Sequence, residues 1–210
     1  MSVKTSDVCA FTKRKLEFLL KTSSESGRKA ALANLRRGVG HKPGELPELW
    51  GEFLSQMPEE MYGFSGPSQA ENAVYIALTL FALHQQGHEL PGDPMYCENV
   101  KLGTAAARLI IGETDAESAF ERIRRKFNMV ATASDTDELT HHLRGLVQLM
   151  RAKGIPLDYA GLAGDIFLYQ NADLRSGIRL RWGQDFYREY EKLTYKGKDE
   201  NNDKSESFLH

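Results

Sequence analysis

The segment between Ser68 and Gly87 limits the fold more than any other part of the sequence. It carries apolar residues at almost every position around a helical turn, among them Val74, Ile76 and Leu80. A helix that is apolar nearly all round is a buried helix. No sustained alternation of β-branched and polar residues predicts a strand anywhere in the chain. The sequence therefore predicts an all-α protein in which this helix is buried.

Helical periodicity extends through most of the remaining chain. Apolar residues recur at spacings of three and four, and clusters of Gly, Pro and Ser separate the periodic segments. Capping-box patterns at Thr114 with Glu117 and at Ser134 with Asp137 predict two helix starts. We expect about eight or nine helices, near residues 11–21, 28–38, 46–56, 68–86, 101–111, 115–128, 135–153, 158–170 and 173–193.

These helices are expected to form two packed helical-bundle subdomains. The N-terminal helical subdomain would comprise residues 1–112 and the C-terminal helical bundle residues 113–196. Residues 197–210 are polar and contain no aromatic residue before Phe208. A segment with so little apolar surface cannot offset the entropy of ordering, so we expect a disordered tail.

Length and composition restrict the class of protein. A chain of 210 residues with 41% hydrophobic content can bury a core of ordinary size without disulfides. Its two cysteines, Cys9 and Cys97, lie far apart and match no metal-binding spacing, which is typical of a reducing cytoplasm. No apolar run approaches the ~20 residues that span a bilayer, and the N-terminal segment is charged where a signal peptide is apolar. We expect a cytoplasmic protein without membrane contact.

The formal net charge of −2 hides a separation of charge along the chain. Residues 1–42 carry ten Lys or Arg and three Asp or Glu, whereas residues 43–100 carry nine acids and no Lys or Arg. A free-standing nucleic-acid-binding domain usually has a basic overall balance. This chain is therefore expected to contribute a local basic face within an assembly.

Residue patterns typical of catalysis are weak. His141 and His142 are adjacent, so they point about a hundred degrees apart on a helix, and the sequence contains no HExxH motif. His84 and His88 are four residues apart, but a helix end at Gly87 separates them. No glycine-rich phosphate loop and no nucleophile with a base stands out. We expect a protein that is not an enzyme and that needs no cofactor and no metal.

Basic side chains on three predicted helices are more informative. They lie opposite or beside the apolar stripe of each helix, which leaves them available to a partner. Arg36 and Arg37 have no acid within four residues on either side, and arginine offers several donors in a fixed fork to phosphate oxygens. The candidate nucleic-acid-binding residues on these helices are Lys29, Arg36, Arg37, Arg122, Arg125, Lys126, Arg181 and Arg188.

Five segments between residues 11 and 190 carry a pattern known from one protein family. They are RKAALANLRRG at 28–38, a predicted helix that contains Trp50 and Phe53, FERIRR at 120–125, HHLRGLV at 141–147 and RLRWGQDFYR at 179–188. In this order they resemble the CasB family, the small subunit of the type I-E CRISPR Cascade surveillance complex. The long acidic stretch at 43–100 and the extended tail depart from the family pattern.

The resemblance implies an all-α, non-catalytic subunit of an RNA-guided complex. Its partners would be the other Cascade subunits, a second copy of itself, the guide RNA and the target DNA with its displaced strand. By this analogy Arg36, Arg37, Arg144 and Arg181 would face nucleic acid. Protein contacts to the backbone would then favour the opened duplex, the R-loop, because its formation is a nearly balanced exchange. The family analogy does not extend to the acidic stretch at 43–100, for which its charge favours contact with protein partners.

Two other hypotheses stay open at the level of sequence. The basic faces could meet acidic protein surfaces, and the chain would then be a helical protein–protein adaptor with no nucleic-acid contact. An enzyme of an unfamiliar helical family is the third hypothesis, and the weak catalytic patterns disfavour it. Salt-dependent binding of single-stranded DNA would favour nucleic-acid contact, and no binding at low salt would favour the adaptor.

Overall fold

The computed structural model describes residues 3–21 and 24–206, with side chains up to residue 194. Within these residues the secondary structure is helical apart from one isolated parallel bridge between Tyr96 and Leu157, which confirms the all-α prediction. Short 3-10 helices occur at Pro47–Leu49, Glu59–Met61 and Ala172–Leu174. The α-helices in this part of the chain are α1 (Thr5–Lys21), α2 (Glu25–Arg37), α3 (Trp50–Phe53), α4 (Gln69–His84), α5 (Leu102–Arg108), α6 (Ala116–Thr132), α7 (Thr136–Lys153), α8 (Tyr159–Tyr169) and α9 (Arg175–Glu206).

Helix α4 is the most deeply buried element. Every residue from Ala73 to His84 is buried, and a capping box between Ser68 and Glu71 begins the helix. Helices α1, α2, α7 and α8 all pack against it. The prediction of a buried helix at 68–86 is confirmed, because a helix that is apolar on all sides needs neighbours on all sides.

Helices from both predicted subdomains pack directly on each other. Helix α1 lies along α8, and α5 lies along α9. The second pair approaches so closely that a Cβ atom at Gly103 would lie 2.2 Å from the carbonyl oxygen of Trp182. The buried apolar side chains form a cluster with members on both sides of residue 112. The predicted boundary at 112–113 thus crosses a shared core, and the division into two subdomains stays a prediction.

An aromatic seam joins α6 to α9. The Phe127 and Phe186 rings stack with centroids 5.0 Å apart, and the Phe120 and Tyr190 centroids lie 4.3 Å apart. Aromatic pairs at such distances contribute attraction beyond the burial of their area. Because this seam fixes one face of α6 inward, the charged residues on its opposite face point to solvent.

Two helix starts lie one residue later than the capping-box patterns predict. The N-cap of α6 is Asp115 and not Thr114, and the N-cap of α7 is Asp135 and not Ser134. Each aspartate side chain accepts a hydrogen bond from a backbone N–H three residues on, at 3.0 and 2.8 Å respectively. Both residue types cap helices well, so the sequence pattern alone leaves the register open by one residue.

Helices α1 and α3 also differ from the prediction. Helix α1 begins at Thr5, earlier than residue 11, because the Asp7 carboxylate accepts the backbone N–H of Lys4 at 3.0 Å and so supports an earlier start. The helix predicted at 46–56 is a 3-10 turn followed by only four α-helical residues. Gln56 has a φ of +63°, which helical backbone does not permit.

The last helix is longer than predicted. It was expected to end at Leu193, whereas α9 continues to Glu206. No proline occurs between these residues, and polar composition alone does not stop a helix that has already begun. The predicted disordered tail at 197–210 overlaps α9 up to Glu206, and residues 207–210 lie outside the described residues.

Candidate nucleic-acid interface

Ion pairing divides the nine predicted basic residues into two groups. Four have an acidic partner: Lys29 with Glu25, Arg37 with Glu48 at 2.7 Å, Arg122 with Glu113 at 2.8 Å, and Arg181 with Asp165 at 2.7 Å. Within the described part of the chain the other five have no acidic partner at ion-pairing distance, namely Arg36, Arg125, Lys126, Arg144 and Arg188. A cation that no neighbouring carboxylate neutralises is the better candidate for phosphate.

The end of α2 is fixed on α4 by a close backbone contact. A Cβ atom at Gly38 would lie 2.7 Å from both the Leu49 side chain and the Tyr75 hydroxyl, which donates to the Gly38 carbonyl at 3.1 Å. Burial, with Glu45 and Glu48 nearby, raises the pKa of Tyr75 to about 12. The phenol therefore stays protonated as a donor, and the last turn of α2 is held in one place.

Arg36 and Arg37 in that last turn have different surroundings. Arg36 is half-buried and lines a groove between α2 and the loop after α4, with Lys29 and Gln86 on its rim. Arg37 turns instead towards Glu48. In the sequence neither arginine has an acid within four residues, so the two are predicted to be equally available. Among the described residues, only Arg37 of the two has an acidic partner. Arg36 is the stronger phosphate candidate of the two.

Arg144 lies on the rim of a second groove. Helix α7 and the segment 39–45 form its walls, and Asn72 and Ile76 of α4 also line it. Across this groove Lys42 forms an ion pair with Asp137 at 3.2 Å. Arg144 is exposed and is not neutralised in this way, so its guanidinium remains available to an anion.

Helix α6 presents its basic residues to solvent, as its apolar stripe predicts. Arg122 is tied to Glu113, which also accepts a hydrogen bond from Lys153 at 2.5 Å. Arg125 donates only to the backbone carbonyl of Glu121, at 3.4 Å, and so keeps its full charge. Lys126 is exposed beside it. Two of the three predicted residues on this helix are therefore available for phosphate.

The two predicted residues on α9 also differ. The Arg181 guanidinium donates to Asp165, whose second carboxylate oxygen accepts from the Trp182 indole N–H at 2.6 Å. Burial raises the pKa of Asp165, and its hydrogen bonds to Trp182 and Arg181 oppose the rise. Arg181 thus compensates a buried carboxylate. Arg188 is exposed one heptad further along the helix.

Sequence reasoning missed two basic residues on α1. Arg14 and Lys15 lie 5.5 and 5.6 Å from the centroid of the Phe11 ring and line a groove with the exposed Phe18. Neither has an acidic partner at ion-pairing distance within the residues described, and burial lowers the pKa of Lys15. Basic side chains beside an exposed aromatic ring are typical of single-strand binding surfaces. The signal was present in the K-R-K run at 13–15.

The two histidines that shared a four-residue spacing do not meet. His84 is buried, with its Nδ1 atom 2.9 Å from the Tyr159 hydroxyl, whereas His88 Nδ1 lies 2.6 Å from Asp93. In the described residues no group of three or more His, Cys, Asp or Glu is arranged to hold a metal ion. No helix of the described chain is long and apolar enough to cross a membrane.

The fold and the surface charges together define an all-α protein that exposes basic side chains without acidic partners in its described part. The family model of the CRISPR-associated protein Cse2 matches residues 31–187. The chain belongs to this family. No curated protein matches it significantly.

Solved structures agree with the family assignment. CasB from Thermobifida fusca has 31% sequence identity and a TM-score of 0.69, over 86% of this chain and 97% of that chain. CasB from M. ruber has 22% identity and a TM-score of 0.63, over 88% and 97% of the two chains. A chain of a CRISPR RNA-guided surveillance complex has 20% identity and a TM-score of 0.63, over 92% and 98%. The resemblance to the CasB family is confirmed.

Proposed function

We propose that this chain is a non-catalytic subunit of a Cascade-type CRISPR surveillance complex and that it holds nucleic-acid backbone through basic side chains. Family membership and a fold shared with a chain of such a complex support the first part. The observation that carries the second part is the subset of the nine predicted basic residues that are exposed or half-buried and that no carboxylate neutralises among the described residues. Its members are Arg36, Arg125, Lys126, Arg144 and Arg188.

The partners in this proposal are the other Cascade subunits, a second copy of the chain, the guide RNA and the target DNA, in the cytoplasm. The formal net charge of −2 opposes strong binding of nucleic acid by the isolated chain. Partner subunits would fix the cations along the path of the nucleic acid. Each cation would then add a small amount to the binding free energy. Because the complex already holds the nucleic acid, the translational entropy of binding is lost only once.

The proposed effect is stabilisation of the R-loop. The guide–target duplex is about as stable as the DNA duplex that it replaces, so modest protein contacts decide the balance. Arg and Lys contacts to the displaced strand would favour the open state without reading sequence. Their contribution would fall with salt, because binding releases the counterions of the phosphates.

The cations with acidic partners have a secondary place in the proposal. Lys29, Arg37, Arg122 and Arg181 must first leave a carboxylate before they can bind phosphate. The pairs of Lys29, Arg37 and Arg122 are exposed and therefore weak, whereas Arg181 compensates the buried Asp165 carboxylate and is held more firmly. The three exposed residues therefore could exchange partners, but with a smaller net gain than the five unneutralised cations.

The test compares two charge-matched variants in the assembled complex. One replaces Arg36, Arg125 and Arg144 with Gln, and the control replaces Lys29, Arg37 and Arg122 with Gln, so that each loses three charges. Permanganate footprinting measures the fraction of opened target DNA over a series of salt concentrations. We expect the first variant to open less target, with a weaker salt dependence, than the control. Equal opening by both variants and the unaltered chain would contradict nucleic-acid contact.

The adaptor hypothesis receives support from one observation. Four of the nine predicted cations already have carboxylate partners, as expected for a surface that does not need them for phosphate. An adaptor would join the complex and leave target opening unchanged when the unneutralised cations of that experiment are replaced. The same footprinting experiment therefore separates the two functions.

A further inference from the structure

Phe64 is the most exposed large apolar side chain among the described residues. Its relative exposure is 106%, and it lies in the loop 62–67, whose residues are all exposed. A single exposed apolar residue is common on a protein surface and needs no explanation by itself. Two further features, the fixed shape of this loop and the charged residues beside it, indicate that Phe64 belongs to a binding surface.

The loop is held in shape by hydrogen bonds to the start of α4. One carboxylate oxygen of Glu71 accepts from the backbone N–H groups of Gly63 and Ser68, at 2.8 and 2.7 Å. The Ser68 hydroxyl donates to the Met61 carbonyl at 2.5 Å. A Cβ atom at Gly63 would lie 1.8 Å from the carbonyl oxygen of Gly66, so the two limbs of the loop touch. Presenting Phe64 to a partner therefore requires little further ordering.

The flank of the loop is acidic. Glu59 and Glu60 are exposed just before it, and neither has a basic partner at ion-pairing distance among the residues that the structure describes. No Lys or Arg occurs between residues 43 and 100 to neutralise them. Tyr62, two residues before Phe64, is also exposed, and its hydroxyl donates to the Leu54 carbonyl at 3.2 Å. The surface is an aromatic tip with a negative rim.

This charge decides between possible occupants. Nucleic-acid backbone would be repelled by Glu59 and Glu60. A symmetric contact with this loop on the two-fold axis would bring these carboxylates against their own counterparts, and like charges repel. A different protein whose surface is basic around an apolar pocket would satisfy both the ring and the carboxylates.

We propose that the loop 62–67 is a docking element that inserts Phe64 into an apolar pocket, rimmed by Lys or Arg, on another protein subunit of the complex. This inference rests on the proposed function, since it assigns one protein contact within that assembly. Central aromatic anchors in desolvated pockets carry a large share of interface affinity. The acidic rim would fix orientation and speed association.

The test measures the affinity of the purified chain for the rest of the complex, obtained by co-expressing the guide RNA with the other proteins encoded beside this chain. Phe64→Ala should weaken binding about tenfold or more, whereas Phe64→Tyr should bind within a few-fold of the unaltered chain. Glu59→Gln with Glu60→Gln should weaken binding and reduce its salt dependence. Ser65→Ala, in the same exposed loop, is the matched control and should bind normally. Thermal unfolding checks that each variant folds.

The outcomes separate this inference from the proposed function. If the unaltered chain does not bind the complex, both are overturned. If it binds and Phe64→Ala binds equally well, only the docking loop is overturned. If Phe64→Ala instead abolishes self-association in sedimentation experiments, or lowers only the affinity for single-stranded DNA, the occupant is a second copy or a nucleic acid and the inference is wrong.

Discussion

The Arg37 guanidinium lies 2.7 Å from the Glu48 carboxylate, whereas the adjacent Arg36 lines an open groove on the other side of α2. Successive residues on a helix point about a hundred degrees apart, so the two arginines meet different neighbours. Any phosphate that binds Arg37 must compete with Glu48. Arg36 has no carboxylate at ion-pairing distance in the described chain, although Glu25 and Glu89 line the same groove.

Replacement of Arg36 is therefore expected to impair nucleic-acid binding more than replacement of Arg37. Hydrogen bonds to charged groups contribute about 1.5–3 kcal/mol, so Arg36→Ala should weaken binding of single-stranded DNA by the assembled complex about tenfold or more. The slope of log affinity against log salt should fall by about 1. Fluorescence anisotropy at a series of salt concentrations measures both quantities.

Arg37→Ala is the matched control for this experiment. Both arginines lie in the last turn of α2, where a cation interacts favourably with the helix dipole, so both variants lose the same small stabilisation. Arg37→Ala should change the affinity only a few-fold. Equal losses for the two variants would show that the ion pair with Glu48 does not determine availability.

Removing the competing carboxylate should make Arg37 available. In Glu48→Gln the guanidinium has no charged partner at this position, so we expect DNA affinity to rise and the salt slope to steepen by about 1. Because the ion pair is exposed, stability should change by less than about 1 kcal/mol. The same anisotropy titration measures the effect.

The double variant Glu48→Gln with Arg37→Ala tests the cause. Its DNA affinity should not rise as it does in Glu48→Gln, because that rise depends on the Arg37 guanidinium. A gain that persists without Arg37 would mean that removing a negative charge acts through the general field of the surface and not through this residue.

Local periodicity was sufficient to predict the helical core. The burial of α4 follows from its own composition, and the outward face of α6 follows from the spacing of Ile123 and Phe127. Both are properties of a single segment. The sequence could therefore predict which elements form and which sides they bury, although Asp115 and Asp135 shift two helix starts by one residue.

Whether a given cation has an acidic partner could not be predicted from local periodicity. Arg37 pairs with Glu48, Arg122 with Glu113 and Arg181 with Asp165, at separations of 11, 9 and 16 residues. Helical ion-pair rules apply at separations of three or four, and only Lys29 with Glu25 falls within them. The other three pairs depend on how chain segments turn and pack. Arg14 and Lys15 belong to the K-R-K run at 13–15, but their position beside the Phe11 ring and the exposed Phe18 follows from packing.

The contact between α5 and α9 gives a prediction about stability. A Cβ atom at Gly103 would lie 2.2 Å from the Trp182 carbonyl oxygen and 2.7 Å from the Phe186 backbone nitrogen. Backbone atoms cannot move away as a flexible side chain can, so Gly103→Ala forces the helices apart. We expect a loss of about 1–3 kcal/mol or more in the free energy of unfolding, measured by urea denaturation.

Gly145→Ala is the control for that substitution. Gly145 lies inside α7, and within the described residues a Cβ atom there would meet no atom closer than 4 Å. The added methyl group reduces the entropy of the unfolded chain and should stabilise the protein by about 0.5–1 kcal/mol. If both substitutions lowered the free energy of unfolding, close packing at Gly103 would not explain the loss in Gly103→Ala.

His84 is expected to make stability depend on pH. Burial of the imidazole, with a smaller effect of the nearby His88, lowers the pKa of His84 to about 4. The unfolded chain, with an ordinary histidine pKa of about 6.5, binds a proton more readily than the folded protein does. Stability from this group is therefore complete above about pH 6.5 and is lost as the pH falls towards 4, by about 3 kcal/mol in total.

Urea denaturation at intervals between pH 7 and pH 4 measures this dependence. Carboxylates also titrate near the acid end of the range, so the relevant quantity is the difference between the protein and His84→Gln, whose amide does not titrate. The free energy of unfolding should fall less steeply with decreasing pH in the variant. His41→Gln, at an exposed histidine paired with Glu45, should keep the steep fall. Parallel curves for the protein and His84→Gln would mean that the buried imidazole is not the group responsible.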